Sequence, residues 1–178
     1  MNRQLKASLL TSAATHAFIA LGGNLGDPRA TVREAMERLA AFSSAPLLCS
    51  SLWRSTPVDC PPGSPDFINA VVALTPLPHF TPESLLAELQ AIEREFGRRP
   101  KLVLNEARPL DLDLIAWGNE VRNTPTLTLP HPRAHLRRFV LQPLSELAPD
   151  LVLPGQTQTV AELLAALKSD EHLDRIGP

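Results

Sequence analysis

Strand-like and helix-like periodicities follow one another as strand-helix-strand-strand-helix-strand, and 44% of the 178 residues are hydrophobic. Together these predict an α+β domain built around one core. A third observation is the stretch "ARPLDLDLIAWG", residues 107–118, in which Asp111 and Asp113 interrupt an otherwise apolar strand. Side chains of a strand alternate faces, so the two aspartates share one face roughly 7 Å apart while Leu110, Leu112 and Leu114 fill the other. Such a strand is half core and half site. The expected architecture is a ferredoxin-like antiparallel sheet sandwiched by helices in three α-β-α layers.

"AFIALGGNLGDP" reads as a strand over 17–21, a tight turn over Gly22 to Gly26, and a helix capped by Asp27 with Pro28 at its first position. Val32, Met36, Leu39 and Phe42 recur at helical spacing. The glycines do not make a dinucleotide fingerprint, which would require glycine at Leu21, and no Gly-Lys-Ser/Thr follows. A strand is expected around 46–53, then the proline-rich loop "STPVDCPPGSP", then the strand "DFINAVVALT". Structureless loops of that length are functional or disordered. Thr81 and Pro82 cap a second helix with the core stripe Leu85, Leu89, Ile92 and Phe96, ended by Gly97. Gln90 and Glu93 lie on a flank of that stripe, where a solvated face is the ordinary expectation. Basic "GRRPKLVLNEA" leads into the aspartate strand. A short strand over 126–129 follows, then His131, an arginine group and an apolar helix near 141–147. Thr159 and Glu162 form a capping box for a last helix through Leu163, Leu164 and Leu167.

Composition narrows the function. Net charge is -2, with no long charged run, which argues against a nucleic-acid groove or a membrane surface. Fourteen arginines stand against three lysines, a bias suited to two-pronged recognition of phosphate or carboxylate and equally to a GC-rich genome. Cys49 and Cys60 have no metal-ligand spacing and make no disulfide framework, so a reducing cytoplasm is the expected compartment. Residues 1–16 are too short and too weakly apolar for a membrane span and are expected to be a disordered extension, leaving 17–178 as a single domain.

Two carboxylates on one partly desolvated face repel each other and call for a positive partner. That partner is either an arginine, with Arg108 three residues before Asp111, or a divalent cation. Magnesium takes one or two protein carboxylates and leaves its other positions to water and phosphates. With arginines nearby and no zinc-type ligand set, Asp-x-Asp suits a site handling Mg²⁺ and a nucleoside triphosphate together, because phosphoryl transfer asks mainly for alignment and charge neutralisation.

The segments "FIALGGNLGDP", "STPV", "SPDFINAVVAL", "LLAELQAIEREFGR", "ARPLDLDLIAWG", "LTLPHPR" and "RRFVLQPLSELAP" occur in an order that resembles the 6-hydroxymethyl-7,8-dihydropterin pyrophosphokinases of folate biosynthesis. The resemblance implies transfer of the pyrophosphoryl group of ATP, as co-substrate, to the pterin's hydroxymethyl oxygen. It implies Asp111 and Asp113 as ligands of two Mg²⁺ ions and, with Arg98 and Arg108, as the catalytic group. ATP would meet Gln90, Glu93, Arg98, Arg108, Leu114, Thr128, His131 and Arg137. The pterin would lie between Phe67 and Phe139, with Asn69 reading its edge and Ser55, Thr56, Pro57 and Val58 contributing from the loop. Five positions depart from the family pattern: Asn105 replaces a common tryptophan, Pro100 a basic residue (Arg99 or Lys101 being near), Ala107 a proline, Asp59 a glycine and Trp53 a tyrosine. The partners implied are small molecules only, for a stand-alone, cytoplasmic monomer whose length leaves no room for a fused second enzyme. Both substrate loops are expected to move, and ATP to bind before the pterin site is complete. A palm-type nucleotidyltransferase also pairs strand carboxylates, but it needs a template groove that this charge and length do not supply. The other alternative is a pterin- or nucleotide-binding module without catalysis.

Overall fold

The computed structural model describes residues 15–99 and 106–177. Expectations placed on Pro100, Lys101, Asn105 and residues 1–14 therefore fall outside the described residues. The described residues form eight strands: β1 (Ala17–Gly23), β2 (Leu48–Cys49), β3 (Leu52–Ser55), β4 (Phe67–Leu74), β5 (Asp111–Trp117), β6 (Arg122–Asn123), β7 (Thr128–Leu129) and β8 (Leu173–Gly177). Four α-helices accompany them: α1 (Pro28–Leu39), α2 (Pro82–Glu95), α3 (Arg138–Leu147) and α4 (Val160–Ala166). The main sheet runs β5-β1-β4-β3-β8, with β2 also pairing β4, and its pairs are antiparallel. Taking β2 and β3 as one interrupted strand, its first four strands stand in the order fourth, first, third, second, which is the ferredoxin-like arrangement. β6 and β7 form a separate ribbon.

Period-two alternation sends the two faces of each central strand into two different cores. Ala17, Ile19 and Leu21 of β1, Ile68 to Leu74 at even numbers in β4, and Leu110, Leu112 and Leu114 meet Val32 and Leu39 of α1 and Leu85, Leu89 and Ile92 of α2. Phe18, Val71, Ala73, Ile115 and Ala116 meet Val140, Leu141, Leu144 and Leu147 of α3 and Val160 of α4. Each fully buried leucine contributes about 1.5–3 kcal/mol, so both layers are needed to hold a sheet that is apolar on both sides. A register shift between Phe18 and Ile19 leaves Ile115 without a partner on β1. Ile115 and Ala116 therefore both enter the second core, and Trp117 returns to the first.

Caps follow the sequence closely. Asp27 accepts from the Ala30 N–H, and capping boxes begin α2 at Thr81 and α4 at Thr159. Several elements differ from expectation. β1 continues through Gly22 and Gly23, confining the turn to Asn24–Asp27. The strand expected over 46–53 is broken, because Ser50 Oγ accepts the Val71 N–H and the Ser51 N–H turns to Glu146 Oε2, both at 2.9 Å. The helix expected near 141–147 begins at Arg138. Strand β8 had no expectation, since "LDRIG" lacks clean alternation. At the other end His16 is docked rather than loose, its carbonyl accepting the Gly118 N–H at 2.8 Å. Among the described residues no helix is long and apolar enough to cross a membrane.

Candidate active site

One part of the cleft lies on the face of the sheet that α3 packs against, and α2, from the other face, contributes Gln90 and Glu93 to the rest. Register places Ala20 opposite Asp113 and Gly22 opposite Asp111, so the neighbours of the carboxylates on β1 are the smallest available. The space above the acids stays open for that reason. A Cβ on Gly22 would approach Asn69 Oδ1 to 3.2 Å, and one on Gly23 would approach the Pro109 carbonyl oxygen to 2.2 Å. The second glycine is what lets the segment before β5 cross β1 closely. Asn24 then fastens that crossing. Its buried side chain accepts the Arg108 N–H at 2.8 Å and donates to the Pro65 carbonyl at 3.1 Å. Its backbone N–H donates to the Arg108 carbonyl at 3.0 Å. The loop before β4 and the loop before β5 are thus tied to one residue.

Positive charge converges on the acids. Asp111 pairs with Arg108 at 2.9 Å and with Arg98, which also pairs with Glu93. Glu93 Oε1 accepts the Leu112 N–H at 2.7 Å, linking α2 to β5. Glu93 is only 7% exposed, so the solvated face expected for it is corrected to a buried anchor. Burial pushes its carboxyl from the ordinary 4.5 up to about 7, against the pull of the Leu112 N–H and Arg98. The negative charges of Asp111 and Asp113 push it the same way as burial. Burial and the neighbouring Asp111 also raise the Asp113 carboxyl, opposed by His131, Arg137 and Arg108. His131 is lowered by burial, which favours the neutral imidazole, and its Nδ1 accepts the Arg133 N–H at 3.2 Å. The Arg108 Nε is buried with no hydrogen-bond partner among the described residues, a donor still available to an anion.

Two compartments meet at this wall. One is strongly polar, lined by Gln90, Glu93, Arg98, His131 and Leu86. The other is mixed, lined by Ser55, Thr56, Val58, Phe67, Asn69 and Phe139. Arg108, Asp111, Asp113, Arg133 and Arg137 line both. In the mixed compartment Asn69 Nδ2 donates to Ser55 Oγ at 2.8 Å, which leaves its carbonyl oxygen free beside Gly22. Arg108 lies over the Phe67 ring at 5.5 Å, and Arg137 over the Phe139 ring at 5.3 Å. Cations over both rings tie the aromatic walls to the charged one. Among the described residues no group of three or more His, Cys, Asp or Glu is set to hold a metal. The donor set at the wall is two hard carboxylates, which fits magnesium when phosphates supply its remaining oxygens.

The family model for 7,8-dihydro-6-hydroxymethylpterin-pyrophosphokinase (HPPK) matches residues 18–149. The chain belongs to this family. A 2-amino-4-hydroxy-6-hydroxymethyldihydropteridine pyrophosphokinase of Haemophilus influenzae is 39% identical over 163 residues, covering 91% of this chain and 98% of that one. Its namesake in Pseudomonas aeruginosa is 40% identical over 150 residues, covering 84% and 90%. Among solved structures, an HPPK-DHPS in complex with substrates superposes with a TM-score of 0.66 at 11% identity, over 86% of this chain and 43% of that chain. At that identity the likeness speaks for the fold alone. The chain spans less than half of that longer solved chain.

Most residues that the HPPK resemblance singled out converge on the cleft. Three do not line it: Leu114 is buried in the core under α2, Thr128 is exposed on the ribbon β6-β7, and Pro57 stands outside both compartments. Asp59, at the family's common glycine position, has φ 52°, the left-handed conformation that explains glycine there. Sequence reasoning did not single out Asn24, Arg133, Leu136 or Glu171. Arg133 was present inside the quoted "LTLPHPR", whereas Asn24 was hidden in what read as an ordinary turn.

Proposed function

We propose that the wall shared by the two compartments is where one reaction joins two substrates. As a member of its family the chain is a pyrophosphokinase, transferring the pyrophosphoryl group of ATP to the hydroxymethyl group of 6-hydroxymethyl-7,8-dihydropterin in folate biosynthesis. The observation that carries the site assignment is that Asp111 and Asp113 line both compartments. The flat pterin occupies the mixed compartment between Phe67 and Phe139, with its polar edge on Asn69 and on Ser55 to Val58. ATP occupies the polar compartment, its phosphates against Arg98, Arg108, His131 and Arg137 and its nucleoside toward Gln90. The hydroxymethyl oxygen attacks the β-phosphorus and releases its proton to solvent, the bond from that phosphorus to the α,β-bridging oxygen breaks with its electron pair staying on that oxygen, and AMP leaves. Asp111 and Asp113 would hold two Mg²⁺ ions, which when bound neutralise the triphosphate and render the attacking hydroxyl more acidic. Arg98 and Arg108, now paired with Asp111, are placed to pass their charge to the phosphates as those enter. The chain is read as a cytoplasmic monomer, the compartment being in keeping with Cys49 and Cys60 forming no disulfide among the described residues.

The test is product analysis after incubation with ATP, Mg²⁺ and 6-hydroxymethyl-7,8-dihydropterin, beside an Asp111→Asn/Asp113→Asn double variant. AMP and pterin pyrophosphate from the wild type, reduced at least about a thousandfold in the variant, are expected for a site that works by charge and alignment. Tight substrate binding without AMP would instead identify a binding module.

A further inference from the structure

The segment after α4 lies beyond the matched family region, which ends at residue 149, yet it closes one side of the mixed compartment. Strand β8 adds to the edge of β3, pairing Leu173 with Ser55. Just before it, the Thr56 N–H donates to the His172 carbonyl at 3.2 Å and the His172 N–H donates to Thr56 Oγ1 at 3.3 Å. The loop that supplies the pterin contacts is therefore clamped by the tail.

Glu171 reaches further. Helix α3 begins at Arg138 with Arg137 as its cap residue, and Arg137 makes no side-chain cap hydrogen bond. The first turn of a helix has backbone N–H groups with no partner inside the helix, and a carboxylate near them meets both the donors and the positive end of the dipole. Glu171 Oε2 accepts the Phe139 N–H at 3.0 Å from 32 residues away. Burial pushes this carboxyl up, while the nearby N–H groups of Phe139 and Arg138 pull it down. Arg138 reinforces the contact by donating through Nη2 to the Leu167 carbonyl at 2.9 Å. What this turn carries is Phe139, one proposed wall of the pterin site, and Arg137, whose guanidinium lies over the Phe139 ring.

We propose that Glu171 is a positioning residue for pterin binding, a cap supplied by the tail that fixes the first turn of α3 and so sets Phe139 and Arg137 at the cleft. The proposal rests on the pterin assignment above. It differs from a merely stabilising role because the capped turn holds the pterin wall directly, whereas the ATP side draws also on Arg98, Arg108 and His131.

The experiment measures Kd for 6-hydroxymethyl-7,8-dihydropterin, with Mg²⁺ and a non-hydrolysable ATP analogue present, and Kd for the analogue alone. It compares wild type with Glu171→Ala, Glu171→Gln and Asp174→Ala, each with its melting temperature. Loss of a charge-assisted hydrogen bond in Glu171→Ala is expected to weaken pterin about tenfold and the analogue less than about threefold. Glu171→Gln, which keeps an acceptor for the Phe139 N–H, is expected to recover pterin affinity to within about threefold of wild type. Asp174→Ala breaks the exposed Arg54 pair of the same tail at 3.0 Å and is expected to leave both constants unchanged. Unchanged pterin affinity in Glu171→Ala, equal weakening of both ligands, or equal weakening by Asp174→Ala would overturn the proposal. Should Glu171→Ala fail to fold, Glu171→Asp replaces it, its shorter side chain falling short of Phe139; weaker pterin binding supports the proposal and unchanged binding overturns it. A wild type without pterin affinity overturns the pterin assignment as well, and wild-type affinity with an unaffected variant overturns this proposal alone.

Discussion

Glu93 sits at the point where folding and chemistry compete for one carboxyl. It joins α2 to β5 through the Leu112 N–H, and it shares Arg98 with Asp111. Its carboxyl is raised from 4.5 to about 7, so between those values the folded chain binds more protons at this position than the unfolded one. Stability from this group is full below about 4.5 and falls as pH rises through about 7. Glu93→Gln lacks that limb. The wild-type melting temperature is therefore expected to decline relative to the variant across this window and then run parallel to it. Asp113, which is also raised, interacts with Glu93, so the difference between the two proteins reports the titration of the interacting acids together. Melting curves at half-unit pH steps decide the matter, and a constant difference would show that Arg98 holds Glu93 ionised throughout. Position 93 also shows where sequence reading stopped. Asp111 and Asp113 were legible because two acids at period two break an apolar strand. Glu93 occupies an ordinary flank position on its helix, and only a bond to a strand 19 residues on makes it a buried anchor.

At the scale of elements, the caps and apolar stripes were readable because each is a local agreement of propensity and spacing. What escaped were features made by distant backbone: the Ser50–Ser51 break, strand β8, and the close crossing of the chain over Gly23. The crossing has a testable consequence. Asn24 is 4% exposed, and its side chain bonds the Arg108 N–H in the loop before β5 and the Pro65 carbonyl in the loop before β4. Asn24→Ala removes the partner of the half-buried Arg108 N–H and of the carbonyl of the exposed Pro65, at about 0.5–1.5 kcal/mol for each hydrogen bond. Because the two groups belong to the loops flanking both compartments, the variant is expected to raise KM for both substrates as well as lower the melting temperature. Asn24→Asp retains the acceptor toward Arg108 and loses the donor toward Pro65, so it is expected to disturb the pterin side more than the ATP side. Steady-state kinetics with each substrate varied in turn would separate these effects. A melting loss with unchanged KM values would reduce Asn24 to a fold residue.

For the whole molecule, the sheet order followed from sequence because strand and helix periods alternate in a way that few layer arrangements satisfy. How the two halves of the cleft communicate did not, since that depends on which arginine lies over which ring. In the structure Arg108 faces Phe67 and Arg137 faces Phe139, while both line the polar compartment too. A polyphosphate entering that compartment competes for both guanidiniums with a far stronger attraction than a phenyl ring offers, because charge-assisted pairs exceed cation–π contacts. Drawing the arginines toward phosphate uncovers the ring faces that a flat heterocycle would stack on, and it relieves the Arg108 Nε left without a partner. ATP binding should therefore prepare the pterin compartment. Pterin affinity is expected to rise about tenfold or more when Mg²⁺ and a non-hydrolysable ATP analogue are present, a coupling of about 1–3 kcal/mol. Linkage requires the analogue to bind more tightly by the same factor when pterin is present. Calorimetry in both orders of addition measures the two factors. Equal pterin affinity with and without the analogue would mean that the rings are already uncovered and that the arginines serve the phosphates alone. The control is Arg137→Lys: an ammonium keeps the charge but cannot span ring and phosphate with a planar fork, so the coupling should shrink while analogue affinity persists.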